Sequence, residues 1–164
     1  TGEVGCLGRD YDEALLLALE SAGVKPPRRG ILVSAGPEAE KLRFLSAVRW
    51  ATYHRVPLYA TDGTARFLQA HGVKARTLAW PGQGAGDVLK AIRGGQVDFV
   101  VNVPKNLDPQ ELTYGREIRR TAIRFGCSLL TDIDIVRDYF QALERADTTT
   151  NRITLLSVPA YMED

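Results

Sequence analysis

The chain has 164 residues, enough for one domain around a single apolar core. Hydrophobic residues make up 45% and charged residues 25%, an ordinary globular balance that excludes disordered, collagen-like and disulfide-scaffold classes. Twenty-one basic against twenty acidic residues leave a formal charge of +1, so no charge excess is available to hold a nucleic-acid backbone or an anionic membrane, and neither partner is expected.

No apolar run approaches the roughly 18 residues of a membrane span. The chain does not open on a basic stretch followed by an apolar one, so no signal peptide is expected. It starts at Thr1 rather than at methionine, which points to a piece of a longer polypeptide. Cys6 and Cys127 lie far apart without CxxC spacing and read as idle thiols of a reducing compartment. With His54 and His71 as the two histidines, a histidine-rich metal site is not expected, and the metal prediction is none.

In chain order, Asp10 is placed to cap a first helix, with Glu13 three residues on. Tyr11, Ala14, Leu15, Ala18, Leu19 and Ala22 follow helical spacing, Gly23 stops the helix, and Lys25-Pro26-Pro27-Arg28-Arg29 reads as a connector. This helix reads as an arm as readily as part of the central fold. Gly30-Ile31-Leu32-Val33-Ser34 is a short buried strand. Pro37 then opens a helix running to about His54, with Leu42, Leu45 and Val48 on one face. A strand at Leu58-Tyr59-Ala60 precedes a helix from about Thr64 to Ala70, and a weaker strand covers about Arg76 to Ala79. The glycine-rich Pro81-Gly82-Gln83-Gly84-Ala85-Gly86 leads into a short helix carrying Val88, Leu89 and Ile92. Asp98-Phe99-Val100-Val101-Asn102-Val103 is the strongest strand. A helix from about Tyr114 to Phe125 follows, then a core strand Ser128-Leu129-Leu130-Thr131. Asp132 caps a final helix with Ile133, Val136, Phe140 and Leu143, and Arg152 to Val158 forms an edge strand or a packed tail. This alternation predicts an α/β fold: a doubly wound three-layer sandwich with a mainly parallel five-stranded sheet.

Ligands of such sheets bind outside the carboxyl ends of the strands. The residues there are Ser34-Ala35-Gly36-Pro37, Thr61-Asp62-Gly63-Thr64, Trp80-Pro81-Gly82-Gln83, Asn102-Val103-Pro104-Lys105-Asn106 and Thr131-Asp132. They offer hydroxyls, amides and backbone N–H groups and few carboxylates, which is the chemistry of a small-anion site. Thr61-Asp62-Gly63-Thr64 enters a helix, where free N–H groups and two hydroxyls suit a phosphate or carboxylate; helix capping is the competing reading. The helix dipole adds roughly 0.3–1 kcal/mol, and hydrogen bonds from a lysine such as Lys41 add about 1.5–3 kcal/mol each. Trp80 is either core or a pocket wall, and Asn102 orients a ligand or ties down a loop. Arg116, Arg119 and Arg120 read first as a solvated or salt-bridged face and second as an anion contact or interface. No nucleophile, base and orienter come together, and neither histidine lies in a strand-end loop, so no catalytic residue is assigned.

Tyr59-Ala60-Thr61-Asp62-Gly63-Thr64, Ala79-Trp80-Pro81, Val101-Asn102-Val103-Pro104-Lys105-Asn106 and Ile118-Arg119-Arg120-Thr121-Ala122 occur in that order. Together they resemble the C-terminal allosteric domain of carbamoyl-phosphate synthetase large chains, which has the methylglyoxal-synthase-like, Rossmann-like fold. Thr1-Gly2-Glu3-Val4 resembles the end of the preceding synthetase unit. The resemblance therefore implies a connecting segment over 1–29 and an effector-binding domain over 30–164. It implies a regulatory part of an ATP-dependent ligase rather than a catalyst. Cofactors are none in this domain, with ATP and magnesium in the parent enzyme. The implied partners are a small anionic effector, the synthetase domains of the same large chain, and the glutaminase subunit.

By the same resemblance, Thr61 and Thr64 hold the effector's anionic group, and Lys41 is similar to a lysine of nucleotide-regulated bacterial members. Those members carry a lysine where this chain has Trp80. Trp80, Pro81, Asn102 and Pro104 instead resemble the N-acetylglutamate-activated type, with Asn106 a further amide contact. Lys105 and Gly115 replace asparagines expected there. An N-acetylglutamate-like effector is the first expectation, and UMP or IMP the second. The implied location is cytoplasmic, or the mitochondrial matrix for an animal enzyme. Methylglyoxal synthase, acting on dihydroxyacetone phosphate, is the enzymatic alternative. Gln110-Glu111-Leu112-Thr113 lacks the histidine it needs, and Asp87, near its catalytic position, reads as a helix cap.

Overall fold

Five short apolar runs become the strands of one sheet: β1 (Ile31–Ser34), β2 (Leu58–Thr61), β3 (Arg76–Leu78), β4 (Phe99–Asn102) and β5 (Ser128–Leu130). The computed structural model describes residues 3–84, 86–103 and 109–148. Neighbouring strands are all parallel, in the order β3-β2-β1-β4-β5. Every residue of β1, β2 and β4 is buried. Both faces of these strands are covered, so they read in the sequence as unbroken apolar runs rather than as alternating ones.

The helices are α1 (Tyr11–Ser21), α2 (Glu38–Arg43), α3 (Leu45–Tyr53), α4 (Asp62–Ala70), α5 (Val88–Arg93), α6 (Pro109–Arg124) and α7 (Ile133–Thr148). Successive strand residues point to opposite faces, and the core divides accordingly. Ile31, Val33, Leu58, Ala60, Phe99 and Val101 pack against α1, α3, α4 and α7. Leu32, Tyr59 and Val100 pack against Val88 and Ile92 of α5 and Ile118 and Ala122 of α6. This is the predicted doubly wound sandwich.

Asp10 caps α1 as its sequence suggests, accepting the N–H of Glu13 at 2.8 Å. Leu16 and Val24 are buried in the same core as the sheet, so the first helix packs on the fold and does not project from it. It lies along α7, where Tyr11 donates to Asp138 at 3.1 Å and Arg145 pairs with Asp12.

The predicted helix from Pro37 to His54 is two helices. The chain breaks at Phe44, which ends α2 and starts α3, and its ring is driven into the core. Leu42, in α2, is 49% exposed and does not share a buried face with Val48 of α3. The predicted tail at Arg152 to Val158 lies outside the described residues.

Asp98 joins the connector to the sheet. Its carboxylate accepts the successive N–H groups of Arg28, Arg29 and Gly30 at 3.1–3.2 Å. The clamp sits where β1 and β4 begin. At their other ends the register places Ser34 opposite Asn102. β1 and β4 flank the point where the strand order reverses, which opens a crevice at their carboxyl ends.

Candidate functional site

That crevice holds a cavity of about 200 Å³, lined from β1 by Ser34, from β2 and α4 by Thr61, Asp62, Gly63 and Thr64, and from β4 by Asn102. Lys41 of α2, Arg66 of α4, Trp80 after β3, and Leu112, Gly115 and Arg119 of α6 complete the wall. Five predicted site residues, Lys41, Thr61, Thr64, Trp80 and Asn102, therefore line one cavity. The sixth, Asn106, lies outside the described residues, as do Pro104 and Lys105. The volume is below the roughly 300–1,000 Å³ of pockets for drug-sized ligands, so the cavity suits a small one.

Neither threonine is spent on capping. Thr61 is the N-cap of α4 by position, but its side chain makes no capping hydrogen bond. Its hydroxyl and that of Ser34 share one hydrogen bond at 3.4 Å, which leaves one of the two hydroxyl protons for a ligand. Thr64, 3% exposed, exchanges hydrogen bonds of 3.3 Å with the N–H and C=O of Ala35, tying α4 to the end of β1. The opening N–H groups of α4 face the same space, with the positive end of the helix dipole behind them.

Lys41 reaches over the Phe67 ring, 5.7 Å from its centroid, with its ammonium 3.5 Å from the Gly63 carbonyl. Asp62 is the lining carboxylate, and it is paired with Arg66 at 2.7 Å. Among the described residues the lining charges are the cations Lys41, Arg66 and Arg119 against the Asp62 carboxylate, with which Arg66 pairs. Trp80 stacks on Tyr114 of α6, with centroids 5.6 Å apart and planes at 24°. It is half core and half wall: its ring packs on the α5–α6 side of the sheet and lines the cavity.

Arg119 corrects the sequence reading, which favoured a solvated or salt-bridged face for Arg116, Arg119 and Arg120 of this helix. Arg116 and Arg120 are exposed, but Arg119 turns inward and donates to Asn102 Oδ1 at 2.6 Å. The available signal was the helical period. Leu112, Gly115 and Arg119 fall on one side of α6, adjoining the core residues Ile118 and Ala122.

Asp87 is not on the cavity. Its carboxylate caps α5, accepting the N–H groups of Lys90 at 2.9 Å and Gly82 at 3.4 Å, as the cap reading requires. The histidines are packing groups: His54 stacks on Trp50, and His71 lies against Phe67 with Nδ1 2.8 Å from that residue's carbonyl. Among the described residues no group of three or more His, Cys, Asp or Glu side chains is placed to hold a metal, and no helix is long and apolar enough to cross a membrane.

Fold and site together define a doubly wound α/β domain whose strand-end cavity is walled by hydrogen-bond donors. The MGS-like domain family matches residues 43–131, more than half of the chain, and the chain belongs to that family. The chain is also similar to carbamoyl-phosphate synthases. It is 35% identical over 151 residues to carbamoyl-phosphate synthase [ammonia], mitochondrial, from Aquarana catesbeiana, covering 88% of this chain and 10% of that protein. It is 33% identical over 162 residues to the carbamoyl phosphate synthase large chain of Thermomicrobium roseum, covering 98% of this chain and 15% of that protein. Multifunctional protein CAD of Squalus acanthias is 31% identical over 91% of this chain and 7% of its own length. The chain thus spans a small fraction of each relative.

Proposed function

We propose that this chain is a regulatory domain of a carbamoyl-phosphate synthase and binds a small anionic effector at the carboxyl ends of its strands. The observation that carries the reading is the balance of the cavity wall. Lys41, Arg66, Arg119, a hydroxyl proton and the N-terminus of α4 surround a space whose lining carboxylate is already paired with Arg66. The effector's anionic group lies at Thr61, Thr64 and Lys41. Trp80 covers its aliphatic part, and Asn102 meets its far polar end. The small volume favours an N-acetylglutamate-like dicarboxylate over UMP or IMP. Millimolar binding needs only about 4 kcal/mol, which a few charge-assisted hydrogen bonds supply.

The partners are the synthetase units of the same large chain and a glutaminase subunit, with ATP and magnesium held there rather than here. The location is the cytoplasm or the mitochondrial matrix, the second supported by relatives named as mitochondrial. Regulation requires that the effector bind two states of the whole enzyme unequally; a coupling of about 1–3 kcal/mol is typical.

The test is calorimetric titration of the 164-residue chain with N-acetyl-L-glutamate, UMP and IMP, alongside the Thr64→Val and Trp80→Ala variants. Saturable binding of one of these anions, weakened at least tenfold by either substitution, is expected. Absence of binding by all three, or variants that bind as the parent does, refutes the assignment.

A further inference from the structure

The end of β4 carries a second level of control over what enters the cavity, and it rests on the effector-site reading above. Asn102 is 3% exposed and lines the cavity. An amide side chain has two ends of nearly equal shape and opposite chemistry, and a neighbour must decide which end faces the ligand. Here the neighbour is Arg119, whose Nη1 lies 2.6 Å from Asn102 Oδ1. A guanidinium only donates, so the end of the amide facing it has to be the oxygen. The amide nitrogen is thereby turned away from Arg119, and among the described residues no acceptor is bonded to it. This donor opens on the cavity, where a ligand can supply its acceptor.

Gly115 makes the arrangement possible. A Cβ at this position would stand 3.0 Å from Arg119 Nη1 and 3.3 Å from Asn102 Oδ1, against the bond itself. Its backbone is not in the left-handed region, so the glycine is required here for space and not for conformation. α6 thus brings an arginine and a gap to the same point.

We infer that Arg119, with the room left by Gly115, is a positioning residue that locks the Asn102 amide as a donor, and so selects anions whose second polar group is an acceptor. An acyl oxygen, a carboxylate or a ring carbonyl meets the Asn102 N–H. An ammonium or amino group in the same place would face another donor with the Arg119 charge behind it. It would lose its hydrogen bond and be repelled. Without Arg119 the amide is free to turn its oxygen inward, and the discrimination falls.

The test uses two ligand pairs that differ in this property: N-acetyl-L-glutamate against L-glutamate, and UMP against CMP. Each is titrated calorimetrically into the parent chain, Arg119→Met, Arg119→Lys and Gly115→Ala, with thermal unfolding run on every variant as a check on folding. The parent is expected to prefer the acceptor member of whichever pair binds. Arg119→Met should narrow that ratio at least tenfold and Gly115→Ala should narrow it in the same direction. Arg119→Lys, which still donates, should restore most of it. A merely structural role would weaken both members of a pair equally and leave the ratio unchanged. An unchanged ratio in folded Arg119→Met and Gly115→Ala, or a parent that prefers the donor member, overturns this inference and leaves the effector site standing. A parent that binds none of the four ligands overturns both.

Discussion

Replacing Asp98 with alanine removes the acceptor that holds the connector to the sheet, and the structure sets the size of the effect. Three successive N–H groups lose their partner: Arg28 and Arg29 at 3.1 Å and Gly30 at 3.2 Å. A hydrogen bond to a charged acceptor contributes about 1.5–3 kcal/mol net. The Arg28 and Arg29 groups are at the exposed edge, where water takes over most of what is lost, whereas Gly30 is part-buried and bears nearly the full penalty. The Arg29 side chain, 3.6 Å from the carboxylate and 58% exposed, adds little. The total is about 2–3 kcal/mol, and Asp98→Asn, which keeps one acceptor oxygen, should lose about half of it. For a chain of this size that corresponds to a fall in Tm of about 4–12 °C for alanine. Urea unfolding should show a lower midpoint with an unchanged slope. Because the clamp lies at the opposite ends of β1 and β4 from Ser34 and Asn102, ligand affinity measured well below Tm should not change. A loss under about 0.5 kcal/mol for Asp98→Ala would show that the three N–H groups gain nothing from the carboxylate beyond what water gives, and the reasoning would fail.

Two further outcomes are expected. Asp87→Ala should cost about 1 kcal/mol through loss of the α5 cap, and a cavity ligand should bind it as before; a large loss of ligand affinity in a folded variant would instead place Asp87 in the site. Burial pushes the Tyr139 phenol well above its ordinary pKa near 10, so the fold favours its neutral form. The stability this contributes is complete below the unfolded value of about 10 and is lost as pH rises through the folded value. Tyr139→Phe should therefore show a shallower decline in urea midpoint above pH 10 than the parent; identical slopes would mean that another group governs the alkaline limb.

Much of this fold is local information. Ile31-Leu32-Val33 and Phe99-Val100-Val101 are too short and too uniformly apolar to be anything but strands covered on both faces, and Asp10, Asp87 and Asp132 mark helix starts through bonds made within a few residues. The same locality made the strand-end loops legible as a donor-rich set, which left capping, core and loop-tying readings open for Thr61, Thr64, Trp80 and Asn102; the resemblance to the allosteric domain of carbamoyl-phosphate synthetase large chains is what named these four and Lys41 as a site. The break at Phe44 was not legible. An aromatic residue is compatible with a continuous helix, and only the demand of the core for its ring decides otherwise.

What the sequence by itself determined is the alternation of elements, their caps, and the type of chemistry at the strand ends, because each depends on neighbours along the chain. What only the tertiary structure decided is the order β3-β2-β1-β4-β5, which sets Ser34 beside Asn102, and the direction taken by Arg116, Arg119 and Arg120 of α6. Arg116, Arg119 and Arg120 are chemically identical, and their spacing along the helix gives each a different heading. Arg119 alone of the three lines the cavity, because α6 packs Ile118 and Ala122 against the sheet and brings Gly115 beside Asn102. Contacts between segments distant in sequence fix that rotation, and no short stretch of the chain contains it.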